Sequence, residues 1–316
     1  MSRGARQTTL VIHPGALGDL LLAVPALRAL RRVCAEDALV MAAQPRVVAL
    51  LSALGVVDAH VPFDSLDLDA LFVGDAEEPA GGLLREARRV VSWFGARDAT
   101  YARRLPALIP DAIVASSVDT RGGLVWEHLV KTVGGDVADE SLRERVTVPR
   151  DLAAGGRARL VGAGWDTVVP LVLVHAGASG PHKRWAAEGF AHVVDDVARA
   201  HGLRPVLHEG PADAGVSDAV RCLIDTPALE LRDPELPILA GILSQVALYV
   251  GNDSGISHLA AALGVPSVVL FAPENVAWRP WGASARAVVV GRTPQDDDIT
   301  AVVAAVRDRL VFRGAS

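Results

Sequence analysis

The sequence predicts an α/β protein of two successive domains, each built on a parallel sheet. Three observations carry this. The chain has 316 residues, more than a single hydrophobic core usually organises, so length alone suggests two domains of roughly 150 residues. Short β-rich runs alternate with helical patterns, which is how parallel βαβ units read. The alternation then restarts part-way along the chain instead of running through.

In the first series, Thr8 to His13, Leu39 to Ala43, Leu71 to Val73 and Ile113 to Ser116 read as strands, with amphipathic segments such as Pro25 to Cys34 between them. The second series is LVLVHAG from Leu171, RPVLHEG from Arg204, ALYVGND from Ala247 and SVVLFAP from Ser267. Between the two lies VPRDLAAGGRARLVGAGWDT, polar and glycine-rich around Gly155 and Gly156, which reads as a hinge. The first domain is therefore expected over residues 1–160 and the second over 168–302. The apolar helix Ile299 to Phe312 must pack on one of them, and its pattern does not say which. Asp296, Asp297 and Asp298 before it read as a solvated helix start, because acidic groups favour a helix N-terminus.

Composition narrows the function. With 51% hydrophobic and 22% charged residues the chain reads as globular, and a net charge of −6 argues against a dedicated nucleic-acid binder. Cys34 and Cys222, far apart and without a Cys/His cluster, indicate neither a disulfide framework nor a zinc site and suit a reducing cytoplasm. Arg3 and Arg6 precede an apolar run, but Pro14, Gly15, Gly18 and Asp19 interrupt it, so the start reads as strand, loop and helix rather than a signal peptide. No uninterrupted apolar stretch is long enough to span a bilayer.

In open α/β sheets ligands bind beyond the carboxyl ends of the strands, and four segments stand there. PGALGDL puts Gly15 and Gly18 in a tight turn and Asp19 at a helix start, where it serves equally as a helix cap. HAGASGPHKRW, from His175 to Trp185, combines small residues with Lys183 and Arg184 and suits a phosphate, or is a solvated basic loop. HEGPAD offers Glu209 and Asp213 as acceptors for ribose hydroxyls. GNDSGISHLAAALGVP ends a strand at Asp253 and opens a helix at Ser254 and Gly255 that carries His258; its N-terminus favours a diphosphate. Asp67-Leu68-Asp69 has the spacing of a metal-binding D-x-D, but lacks a preceding apolar strand and reads as a loop or helix start. Gly162 and Gly164 lack the third glycine of a dinucleotide fingerprint, Thr167 standing in its place.

These segments also carry a resemblance. LVIHPGALGDLLLAVPALRALRR, HAGASGPHKRW and GNDSGISHLAAALGVPSVVLFAP resemble, in order and over residues 8 to 282, the motifs of the ADP-heptose:lipopolysaccharide heptosyltransferase family. The resemblance implies a GT-B fold: two Rossmann-like domains with parallel sheets facing across a cleft, acceptor on the first and nucleotide-sugar on the second. The family's last helix returns to the first domain, so residues from about 303 to 316 are expected there. The resemblance further implies inverting transfer with Asp19 as the base and Lys183 at the leaving diphosphate. Gly18, Ser179, Asp253, Ser254, Gly255 and His258 would frame the donor, and Glu209 or Asp213 the ribose. It implies no metal or cofactor, a donor that is ADP-linked, a glycan or lipopolysaccharide-type acceptor, and a cytoplasmic enzyme touching the inner membrane peripherally. His-Ala-Gly at 175–177 and Ala186 depart from the family's usual prolines.

Two other classes fit the architecture, since fold alone does not fix function: a nucleotide-sugar epimerase, and a non-catalytic nucleotide-sugar or glycan-binding protein. The arginines Arg28, Arg31, Arg32, Arg88, Arg89, Arg103 and Arg104 could face an anionic acceptor or a lipid surface, or simply lie on solvated helix faces.

Overall fold

The computed structural model describes residues 6–73, 82–119 and 122–313. The chain divides into two compact units, Met1–Leu142 and Arg143–Ser316.

In the first unit, β1 (Thr8–Ile12), β2 (Ala38–Ala43), β3 (Ala59–Pro62), β4 (Ala87–Ser92) and β5 (Ile113–Val114) form one parallel sheet in the order β3-β2-β1-β4-β5. The central strands are continuous apolar runs because both faces of a parallel sheet are covered. Leu10, Ile12, Val40, Ala42 and Val90 enter one core cluster with Tyr101 and Leu105 from the helix Ala99–Leu108. Asp98 starts that helix by accepting the amides of Thr100 and Tyr101, the usual N-cap contact.

The expected strand at Leu71 to Val73 is not one. Leu68–Leu71 is a 3₁₀ turn whose Leu68 and Leu71, three residues apart, bury together with Leu66. Asp67 before it has φ 49°, a left-handed conformation that breaks any extended run. The D-x-D spacing is thus a turn, as read. The strand that fills the sheet instead is β4, which its Arg88 and Arg89 hid from a hydrophobicity pattern. Arg88 is accommodated by the buried carboxylate of Asp37, at 2.8 Å.

The second unit contains β6 (Leu171–His175), β7 (Arg204–Glu209), β8 (Leu229–Arg232), β9 (Leu248–Asn252), β10 (Ser267–Phe271) and β11 (Ala285–Val289), all parallel, in the order β11-β10-β9-β6-β7-β8. Counted from its own first strand, each sheet has the doubly wound order 3-2-1-4-5, extended by a sixth strand in the second unit. The point where strand order reverses lies between β1 and β4 in one sheet and between β6 and β9 in the other, and this is where such sheets bind ligands.

Two expectations are corrected here. The glycine-rich stretch read as a hinge is the helix Arg150–Gly162, and it belongs to the second unit. Its glycines serve close packing: a Cβ on Gly156 would lie 2.0 Å from the carbonyl carbon of Gly241, and one on Gly241 would lie 1.9 Å from the carbonyl oxygen of Leu152. The helix therefore crosses Leu236–Leu243 backbone to backbone. The last helix, Asp296–Arg313, starts at the acidic run as expected, but packs on the second unit. It lies on the helix Ala187–His201 and on β10 and β11, and its Val302, Ala305 and Val306 complete that core. An apolar face that fills this core is not available to return to the first unit.

Candidate functional site

The site in the second unit grows from its switch point. From His175 at the end of β6 the chain enters the loop Ala176–Trp185, which closes with a 3₁₀ turn at Pro181–Lys183. From Asn252 at the end of β9 it passes through Asp253 to Ser254, which caps the helix Gly255–Ala262 by accepting the amide of Ser257. The two segments meet: Lys183 Nζ lies 2.8 Å from Asp253 Oδ2, and His258 Nε2 lies 3.6 Å from the other carboxylate oxygen. Burial pushes the Asp253 carboxyl up, but the neighbouring His258 imidazole and the Lys183 ammonium outweigh it and hold the group below the usual carboxylate range. Asp253 is therefore an anion with a cation on one oxygen and an imidazole on the other. Beside it stands a helix N-terminus, whose first-turn amides lack intrahelical partners and whose dipole favours negative charge.

Of the expected donor residues, the structure thus brings Lys183, Asp253, Ser254, Gly255 and His258 together. Ser179 is exposed on the same loop. Glu209 and Asp213 are both buried and both hold protein groups. Glu209 accepts the amide of Gly215, the Ser217 hydroxyl at 2.6 Å and Arg232 at 2.9 Å. Asp213 accepts the amide of Ala178 at 3.2 Å and the Arg184 guanidinium at 3.3 Å, with His175 Nε2 at 3.7 Å. Under this carboxylate only glycine fits at 177, since a Cβ there would lie 2.2 Å from the Asp213 carboxyl carbon.

The corresponding edge of the first unit carries Asp19 and Gly18 in the first turn of the helix Leu17–Leu22. Asp19 Oδ2 accepts the Ala16 amide at 3.0 Å, so the capping role is present, and its carboxylate is half-buried. Next to it, His13 directly follows β1, lies edge-on to Trp93 after β4, and accepts the Gly15 amide on Nδ1 at 3.1 Å. Burial lowers its pKa to about 4, with the Asp19 charge offsetting part of the effect. The imidazole is neutral and carries its proton on Nε2, which has no hydrogen-bond partner among the described residues.

Sequence reasoning missed His13, Asn252 and the buried imidazole pair His175 and His208. In that pair the Nδ1 atoms are 3.1 Å apart, and burial lowers both pKa values. One signal was available for all of them: each is a polar residue at the carboxyl end of a buried strand. Asn252, fully buried, accepts the Trp185 amide at 3.1 Å and donates to the Ala176 carbonyl at 2.7 Å.

The arginines noted for an anionic surface are largely paired within the first unit: Arg31 with Asp58, Arg32 with Asp139 and Ser141, Arg88 with Asp37, and Arg89 with Asp111. Arg28 and Arg104 donate to the carbonyls of Leu142 and Ala70. Among the described residues no cluster of His, Cys, Asp and Glu is arranged to hold a metal, and no helix is long and apolar enough to cross a membrane.

Residues 153–301 match the family Glycosyltransferase family 9 (heptosyltransferase). Over that stretch, a little under half of its length, the chain is similar to glycosyltransferase family 9. That stretch contains Lys183, Asp253 and His258, and so the whole cluster described above. Lipopolysaccharide heptosyltransferase 3 of Escherichia coli is 29% identical over 176 residues, which cover 49% of this chain and 50% of that protein; the match thus spans about half the length of this relative. Two solved structures extend the likeness to the whole fold. A glycosyl transferase family 9 protein from Veillonella parvula superposes with a TM-score of 0.76 at 19% identity, covering 98% of both chains. The ADP-heptose lps heptosyltransferase II of E. coli superposes with a TM-score of 0.73 at 19% identity, covering 98% of this chain and all of that one. The fold is GT-B, an α/β architecture of two Rossmann-like units.

Proposed function

We propose that the protein is an inverting glycosyltransferase that moves a sugar, heptose as in its relatives, from a nucleoside-diphosphate donor to a hydroxyl of a glycan or lipopolysaccharide-type acceptor. The observation that carries this reading is the cluster of Lys183, Asp253 and His258 at the N-terminus of Gly255–Ala262, inside the stretch similar to family 9 and at the switch point of its sheet. A cation and free helix amides place fixed positive potential where a diphosphate would sit, and they stabilise the charge that grows on it as it departs. Lys183 takes the leaving oxygens, while Ser179, Ser254, Gly255 and His258 frame the phosphates and the sugar. The ribose hydroxyls go to Glu209 or Asp213, because a carboxylate oxygen accepts more than one hydrogen bond.

In the first unit, Asp19 is the base. Its carboxylate takes the proton of the acceptor hydroxyl as that oxygen bonds to the anomeric carbon, and the bond from that carbon to the diphosphate breaks with its electron pair. The product is a glycoside of inverted configuration and a nucleoside diphosphate. Lys183 and the helix amides supply the positive charge that a divalent metal supplies elsewhere, so transfer proceeds without one. The acceptor's lipid portion would bring the enzyme to the inner membrane as a peripheral, cytoplasmic protein.

The first experiment is a thermal-shift screen against ADP, GDP, UDP and dTDP sugars with and without EDTA, since a ligand of the native state raises the melting temperature by mass action. Stabilisation by an ADP-sugar that survives EDTA is the expected result. Silence toward every nucleotide would overturn the reading.

A further inference from the structure

We propose that Asn252 and Asp213 are positioning residues for the loop Ala176–Trp185, holding it in the shape that presents Lys183 before any nucleotide binds. This rests on the donor site proposed above, which it deepens. The loop has a buried base and an exposed tip, and its only regular element is the turn Pro181–Lys183. Such a segment has many alternative shapes, and ordering it costs entropy.

Two rungs from other parts of the sheet offset that cost. Asn252, at the end of β9, spans the neck. Its Oδ1 accepts from Trp185 N and its Nδ2 donates to Ala176 O, so one side chain joins both ends of the loop. Only a carboxamide offers a donor and an acceptor side by side; a carboxylate would face the Ala176 carbonyl with a second oxygen. Asp213, from the loop after β7, spans the loop one step further in. Its carboxylate fills the space left by Gly177, takes the Ala178 amide, and takes the guanidinium of Arg184. Arg184 in turn donates to the carbonyls of Ala178 and Ala212. The rungs at 176/185 and 178/184 leave residues 179–183 as the tip, with the Lys183 ammonium on Asp253.

Preorganisation of this kind has a particular signature. If loss of a rung leaves the loop competent only a tenth of the time, the apparent dissociation constant rises about tenfold, whereas saturating ligand restores the competent state. A variant that merely misfolds loses active molecules without weakening binding in those that remain.

The test compares Asn252→Ala and Asp213→Ala with Asp195→Ala. Asp195 is a buried carboxylate of the same unit that accepts the amides of Asp225 and Thr226 and touches no part of the loop. ADP is the probe, read by calorimetry, and hydrogen exchange of residues 176–185 is read in the ligand-free protein. Both loop variants are expected to exchange faster in that segment and to bind ADP about tenfold more weakly, and Asn252→Ala, whose side chain joins the two ends of the loop, to keep turnover at saturating ADP-heptose within about twofold of wild type. Asp213→Asn, which keeps an acceptor for Ala178, is expected to recover part of the loss, and Asp195→Ala to leave loop exchange and ADP affinity unchanged. Wild-type loop exchange and ADP affinity in the two loop variants would overturn the inference. If the unaltered protein binds no ADP, the proposed donor site falls, and the exchange measurement alone decides the role of the rungs.

Discussion

Lowering the pH should destabilise this protein through its buried imidazoles, and the share of one of them can be isolated. His13 is held neutral by burial, its pKa lowered from 6.5 to about 4 even with the Asp19 charge beside it. In the unfolded chain the same group takes up a proton near its ordinary pKa. The folded value lies below the unfolded one, so the contribution of His13 is complete above pH 6.5 and is lost as the pH falls from 6.5 towards 4. Between pH 7 and pH 5 the two titrations differ by an amount worth about 2 kcal/mol. Asn at this position can still accept the Gly15 amide but does not titrate. Urea denaturation of the wild-type protein and of His13→Asn at both pH values reads the effect directly. His175 and His208, also buried neutral, shift both proteins alike and cancel in the comparison. The wild type should lose about 2 kcal/mol more than the variant. Equal losses would show that His13 is not held neutral, and the picture of a dry, uncharged ring behind Asp19 would be wrong.

Other outcomes follow from the same geometry. Asp19→Asn should lower transfer by about two to four orders of magnitude while ADP affinity, measured calorimetrically, stays at the wild-type value. Lys183→Ala should lower kcat by about two to three orders of magnitude, and the same calorimetry should show weakened ADP binding as well, which separates its role from that of Asp19. Gly156→Ala should destabilise the second unit by a few kcal/mol, on the order of other overpacked sites, because its Cβ would meet backbone at 2.0 Å. Gly162→Ala, at the exposed end of the same helix with open space around it, should instead gain up to about 1 kcal/mol, and thermal melts of the pair check both.

The motif-bearing strands were legible because burial on both faces leaves an unbroken apolar run with chemistry immediately after it. β1, β6, β9 and β10 show this, and so does the helix opened by Ser254. What the pattern concealed has specific causes. β4 carries two arginines that Asp37 and Asp111 satisfy, so hydrophobicity passed it over in favour of Leu71 to Val73, whose leucines bury as a turn. Gly155 and Gly156 read as flexible because glycine in isolation is permissive, whereas Gly156 stands where another glycine backbone presses against it. The site was half legible. Charged residues announce themselves, and Lys183, Asp253 and His258 lie together as a ligand would need. Asn252 acts by satisfying backbone groups of the loop after the neighbouring strand, and His13 by accepting the Gly15 amide in its own loop while packing on Trp93, and only the fold shows which strand end faces which loop.

The tight crossing of Arg150–Gly162 over Leu236–Leu243 also dictates how the protein can be taken apart. A cut near residue 163, where composition changes most visibly, would strip the second unit of a helix locked glycine to glycine onto its core. It would also remove the Val146 amide from the Ala262 carbonyl, at the end of the helix that Ser254 begins. The second compact unit starts at Arg143, so the residues that look like a tether are the first part of that unit, and exchanging first units between relatives would have to join the chain ahead of them.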